Sequence, residues 1–133
     1  MTLNPAPSPP SSAHSTRVLL VEDNFFAAID VQRRLEAMGY TVVGPAPSVD
    51  EALALIDTEE IAGAILDINI IGGSSAVIAE ELTRRAIPFF FITGYASPAL
   101  LPDKLRLRTK LSKPIDDQIL RSTVTRELRG APE

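Results

Sequence analysis

Five positions in this 133-residue chain carry side chains able to do chemistry together: Glu22, Asp23, Asp67, Thr93 and Lys113. Each stands where an expected strand stops. Val18-Leu19-Leu20-Val21 runs into Glu22-Asp23, Ile65-Leu66 into Asp67, Phe89-Phe90-Phe91-Ile92 into Thr93, and Thr109-Lys110-Leu111-Ser112 into Lys113. Three carboxylates crowded into a partly buried cleft require positive compensation. Lys113 offers one charge, and a divalent cation is the natural second. The chain has no cysteine, and its one histidine, His14, sits in the Pro- and Ser-rich N-terminal stretch, where a lone histidine is more often inert than a ligand. The ligands are therefore oxygens, which favours a hard ion such as Mg2+. A carboxylate beside such an ion, an ammonium and a hydroxyl can attack phosphorus and form an acyl phosphate. Lys113 and the Thr93 hydroxyl would contact the remaining phosphoryl oxygens. Positioning and charge neutralisation do most of the work in phosphoryl transfer, so no further apparatus is needed.

Each residue also has a plainer reading on its own. Asp23 or Asn24 can be an N-cap, Thr93 an ordinary strand residue, and Lys113 a solvated loop residue. Four strand termini that all end in such groups make the joint site the better reading.

Hydrophobic patterning supplies the elements that must bring these residues together. Val18-Leu19-Leu20-Val21 is a short continuous apolar run, as expected of a strand buried on both faces; further strands are expected at 41–43, 61–66, 89–92 and, as a short fifth, 109–112. Gly44-Pro45 is expected to end the second. Between them lie helical spacings: Ala28, Val31, Leu35 and Met38; Ala52, Leu55 and Ile56; Val77, Ile78 and Leu82; and Leu120, Val124 and Leu128. Gly39 supplies a left-handed stop after the first helix, and Ser48 with Glu51 forms a capping box for the second. Pro98 and Pro102 make 96–108 irregular, with a short or mobile fourth helix. Strand–helix alternation of this kind predicts an α/β fold with a doubly wound parallel sheet. In such sheets ligands bind beyond the carboxyl ends of the strands.

Composition sets the outer limits. One domain fits the length, and 45% hydrophobic residues can fill its core. The net charge of −4 argues against general nucleic-acid binding, and no apolar run is long enough to span a membrane. Absence of cysteine suits a cytoplasmic location. Residues 1–16, with four prolines, four serines and no charged side chain, read as a disordered tail. The domain is expected over 17–129, with a short tail at 130–133. Residues 17–103 hold 5 basic and 13 acidic side chains, and 104–133 hold 8 and 4. The basic end predicts a partner face carrying Arg106, Arg108, Lys110 and Arg121; simple solvated charges explain it about as well.

From Arg17 to Leu128 the chain resembles the receiver domain of bacterial response regulators (CheY-like). Val18-Leu19-Leu20-Val21-Glu22-Asp23 is similar to that family's first strand and acidic pair, and Ile65-Leu66-Asp67-Ile68-Asn69 to the strand ending in its phosphoacceptor. Thr93 and Lys113-Pro114 are similar to its switch hydroxyl and its Lys before a cis proline. The resemblance implies a flavodoxin-like sheet of order 2-1-3-4-5. It implies a phosphoryl group passed to Asp67 from a histidine kinase or histidine phosphotransfer protein, with no enzymatic activity beyond the domain's own phosphorylation and dephosphorylation. A Mg2+ shell of Glu22, Asp23, Asp67 and the Asn69 carbonyl follows from it, as does a downstream protein partner met through strand five and the last helix. Pro88-Phe89-Phe90-Phe91-Ile92-Thr93-Gly94-Tyr95 further resembles the signature of the single-domain FATGUY receivers, with Ile92 in place of Ala. Most receivers carry an aromatic three residues before the Lys, where this chain has Lys110. Tyr95 is then the candidate switch aromatic.

The competing readings are weaker. A haloacid dehalogenase-like phosphatase needs a second Asp two residues after the nucleophile, where this chain has Asn69. A degenerate receiver would lack some of the five site positions, and all are filled. No helix-turn-helix follows the last helix, so a DNA-binding output is not expected of this polypeptide.

Overall fold

The computed structural model describes residues 16–70, 73–94 and 101–128. The expected N-terminal tail up to Ser15, the expected C-terminal tail, Tyr95 and Pro98 lie outside the described residues. Five parallel strands form the main sheet: β1 (Arg17–Val21), β2 (Thr41–Ala46), β3 (Gly63–Asp67), β4 (Phe89–Thr93) and β5 (Lys110–Ser112). Their order is β2-β1-β3-β4-β5, with every pairing parallel. This is the doubly wound order 2-1-3-4-5. A two-residue antiparallel hairpin, Asn69–Ile70 against Gly73–Ser74, follows β3. The helices are α1 (Phe25–Ala37), α2 (Val49–Thr58), α3 (Ala76–Arg84), α4 (Asp103–Arg106) and α5 (Asp117–Glu127).

The period of two along a strand divides the core into two layers. Leu19, Val21, Ala64, Leu66, Phe89 and Phe91 face one way, onto Ala52 and Ile56 of α2, Ile78, Ala79 and Leu82 of α3, and Leu105 of α4. Val18, Leu20, Ile65, Phe90, Ile92 and Leu111 face the other, onto Ala28, Val31 and Leu35 of α1 and Leu120, Val124 and Leu128 of the α5 region. Each large side chain fully buried this way contributes about 1.5–3 kcal/mol. That packing fixes the plane on which the strand ends are presented. No helix among the described residues is long and apolar enough to cross a membrane.

Local chemistry sets the boundaries. Gly39 adopts φ +98, and the N–H of Tyr40 returns to Leu35 O at 3.0 Å, closing α1. Ser48 Oγ accepts the Glu51 N–H at 3.2 Å and opens α2. Four expectations are corrected. β2 does not end at Gly44-Pro45 but runs on to Ala46, with an irregularity in its register against β1 between Leu19 and Val21. β3 begins at Gly63, not Ile61, and β5 at Lys110, not Thr109. Val77 is 54% exposed, because Ile78, Ala79 and Leu82 already fill the buried stripe of α3.

Candidate phosphoacceptor site

β1 and β3 are neighbours in register, with Val21 opposite Leu66, so the residues just beyond them meet. Ligand oxygens of Glu22, Asp23 and Asp67 all lie within 4.8 Å of one another. Lys113 reaches across from the far side of β4. Its Nζ donates to Asp67 Oδ2 at 2.8 Å and forms an ion pair with Glu22 Oε1 at 2.7 Å. Thr93 ends β4, one residue beyond Ile92, which pairs with Asp67. It is buried, and its carbonyl accepts the Lys113 N–H at 2.9 Å. Asn69 enters the hairpin, where its backbone pairs with Ser74. Of the seven expected site residues, Glu22, Asp23 and Asp67 cluster and Lys113 binds two of them; Asn69 follows Asp67 by two positions, Thr93 ends the neighbouring strand, and Tyr95 lies outside the described residues.

The capping alternative is settled by Asn24. Its side chain accepts the Ala27 N–H at 2.9 Å and caps α1, which leaves Asp23 exposed beside the cluster without a capping duty. Asn24 also donates its own N–H to Glu22 Oε2 at 3.0 Å. Glu22 is only 2% exposed, and its N–H donates to Ala46 O at 2.9 Å. The extension of β2 therefore fixes the backbone of the most buried carboxylate, which the sequence pattern alone did not reveal.

Electrostatics follow burial. Desolvation pushes the Glu22 carboxyl above its ordinary value, against the pull of the Lys113 bond and the Asn24 N–H. Burial draws the Lys113 ammonium down, but the Asp67 and Glu22 carboxylates outweigh it and hold Lys113 above its ordinary value. One fixed ammonium faces three carboxylates. This donor set fits Mg2+, an all-oxygen cluster of residual negative charge with one rim exposed to solvent.

The four basic side chains expected to form a partner face all have partners within the chain. Lys110 Nζ, drawn below its usual range by burial, donates to the carbonyls of Arg106 and Arg108. The Arg108 guanidinium lies 4.3 Å over the Phe89 ring. Arg106 pairs with Asp103 at 3.5 Å and Arg121 with Asp117 at 3.0 Å. The exposed Phe25 and Phe26, at the start of α1, were not signalled by periodicity.

Comparison with known proteins gives a consistent result. The family model described as response regulator receiver domain matches residues 18–125. The phyllosphere-induced regulator PhyR of Methylorubrum extorquens is 27% identical over 117 residues, which cover 86% of this chain and 44% of that protein. The chain thus spans less than half the length of this curated relative. The solution structure of SdrG from Sphingomonas melonis is 35% identical, with a TM-score of 0.73, covering 84% of this chain and 95% of that one. PhyR from Brucella abortus is 30% identical, with a TM-score of 0.72, covering 87% and 49%.

Proposed function

The chain belongs to the response regulator receiver family, and we propose that within it Asp67 is the phosphoacceptor of a Mg2+-dependent transfer. The observation that carries this reading is the Asp67 carboxylate held against Lys113 Nζ at 2.8 Å, inside a cluster of three carboxylates. A carboxylate oxygen of Asp67 attacks the phosphorus of a phosphohistidine. The P–O bond forms, the P–N bond breaks, and the electron pair leaves with the imidazole of a histidine kinase or phosphotransfer protein. Glu22, Asp23, Asp67 and the Asn69 carbonyl would hold the ion, Glu22 through water. The ion would neutralise charge on the phosphoryl oxygens. Lys113 keeps its proton and receives a phosphoryl oxygen. The Thr93 hydroxyl donates to another and moves toward it, and Tyr95 follows as the switch aromatic, changing the surface read by a downstream protein or phosphorelay.

The test is labelling of the whole chain with acetyl phosphate and Mg2+, read by intact mass. The wild type should gain one hydroxylamine-labile phosphoryl group. Asp67→Asn should gain none, and EDTA should block labelling. A label that survives Asp67→Asn would place the acceptor elsewhere.

A further inference from the structure

The geometry points to Arg34, on α1, as a positioning residue for Lys113; this rests on the phosphoacceptor reading above. Lys113 must place one ammonium between Glu22 beyond β1 and Asp67 beyond β3, at 2.7 and 2.8 Å. Its own strand gives it little support. β5 has three residues and, among the described residues, stands at the edge of the sheet and pairs only with β4. Beyond it the chain turns through Pro114, Ile115 and Asp116 before α5 starts at Asp117. Asp116 caps α5, its carbonyl accepting the Leu120 N–H at 2.9 Å, but Pro114 and Ile115 belong to neither sheet nor helix, so their backbone groups need partners from elsewhere.

Arg34 supplies one. Its Nη1 donates to Ile115 O at 2.7 Å, a bond between residues 81 positions apart. The guanidinium is held in turn by Asp30 on the preceding turn of α1, at 3.1 Å, and its side chain is 27% exposed. A charge-assisted bond in that degree of burial is among the stronger ones a turn can receive. The Ile115 side chain packs into the same core layer as α1. The turn is therefore clamped at both ends. At one end the Lys113 N–H meets Thr93 O, and at the other Arg34 meets Ile115 O. Without the second clamp, Lys113 hangs from an edge strand on four methylenes, and its ammonium samples positions away from the two carboxylates.

A merely structural Arg34 would hold α1 against the β5–α5 turn and leave labelling per folded molecule unchanged. The two roles separate in a double-mutant cycle on the whole chain, with Arg34→Ala, Arg34→Lys, Lys113→Ala and Arg34→Ala/Lys113→Ala. Acetyl phosphate labelling should slow about tenfold in Arg34→Ala. Arg34→Lys should recover much of the rate, because an ammonium can still donate to Ile115 O. In the Lys113→Ala background, Arg34→Ala should change nothing further. Wild-type rates in Arg34→Ala, or losses that simply add, would overturn the assignment. A second readout needs no phosphoryl donor: the NMR signal of the Lys113 ε-methylene. It should be displaced from that of free lysine in the wild type and move back toward it in Arg34→Ala. No displacement, or none relieved by Arg34→Ala, overturns the assignment even if labelling fails throughout. Failure of wild-type labelling alone removes the phosphoacceptor reading.

Discussion

Around Asp67 the described charges do not balance: three carboxylates cluster, and the Lys113 ammonium pairs with two of them. The excess is tolerable only with a cation or at a cost in stability. Replacing Asp67 by Asn removes one negative charge and keeps a carbonyl oxygen for Lys113 Nζ. In the absence of divalent ion, Asp67→Asn should therefore be more stable than the wild type, by about 1 kcal/mol. The wild type should gain about 2.7 kcal/mol when Mg2+ is raised to a hundredfold its dissociation constant, and Asp67→Asn much less. Thermal melting with and without Mg2+ reads both effects, and a wild type that ignores the ion would contradict the assigned donor set. Residue chemistry was legible in the sequence here because each reactive side chain stands at the end of an expected strand, and parallel strands carry their ends to one edge. What was not legible is which neighbour serves it. Asn24 satisfies Glu22 Oε2 and caps α1 as well, and nothing in its residue type shows both duties. Lys110 likewise reads as a solvent-facing cation, yet its ammonium is turned onto two carbonyls of its own turn.

At the scale of elements, the irregularity in β2 is the feature that shapes the site. Gly44 adopts φ +102, and a Cβ there would stand 2.7 Å from Ala46 N and 3.0 Å from Leu20 O, both backbone atoms. Gly44→Ala should cost about 2 kcal/mol or more, through the left-handed backbone and the clash together. Because Ala46 O accepts the Glu22 N–H, the same variant should weaken Mg2+ binding; urea unfolding and an ion titration check the two effects. A second element-level contact ties α3 to α2. Glu81 accepts from Arg84 Nε at 3.1 Å and Arg85 Nε at 2.6 Å, while Arg85 also reaches Ile56 O and Asp57. The Arg84 and Arg85 bonds hold the Glu81 carboxyl below its ordinary value of 4.5. A depressed acid contributes stability above 4.5 and loses it as pH falls through the lower folded value. The wild type should thus outlast Glu81→Gln in urea at pH 7, and the difference should shrink toward pH 3. Helix existence was readable from spacing, but its last details were not. Val77 is apolar and adjacent to Ile78, yet one residue is a rotation of about 100°, and that carries it off the buried stripe. The Arg34–Ile115 bond spans 81 positions, a separation over which no periodicity operates.

For the whole molecule, the sheet is a shared wall between two core layers, and β4 is its most heavily loaded strand. Phe89 and Phe91 pack on the α2–α3 side and Phe90 on the α1–α5 side. Phe90 and Phe91 are completely buried. Truncating either to alanine removes a ring that the surrounding backbone cannot collapse to replace, at a cost of about 3–5 kcal/mol. Both layers rest on the same strands, so neither can loosen alone. Phe90→Ala and Phe91→Ala should each lower the urea midpoint while preserving one transition, coincident by fluorescence and circular dichroism. Two separated transitions in either variant would mean that the layers are independent units. The site should feel both losses, since β4 carries Thr93 and its last carbonyl holds Lys113 N. The Mg2+-induced rise in stability should therefore be reduced in both variants, although neither ring is part of the acidic cluster.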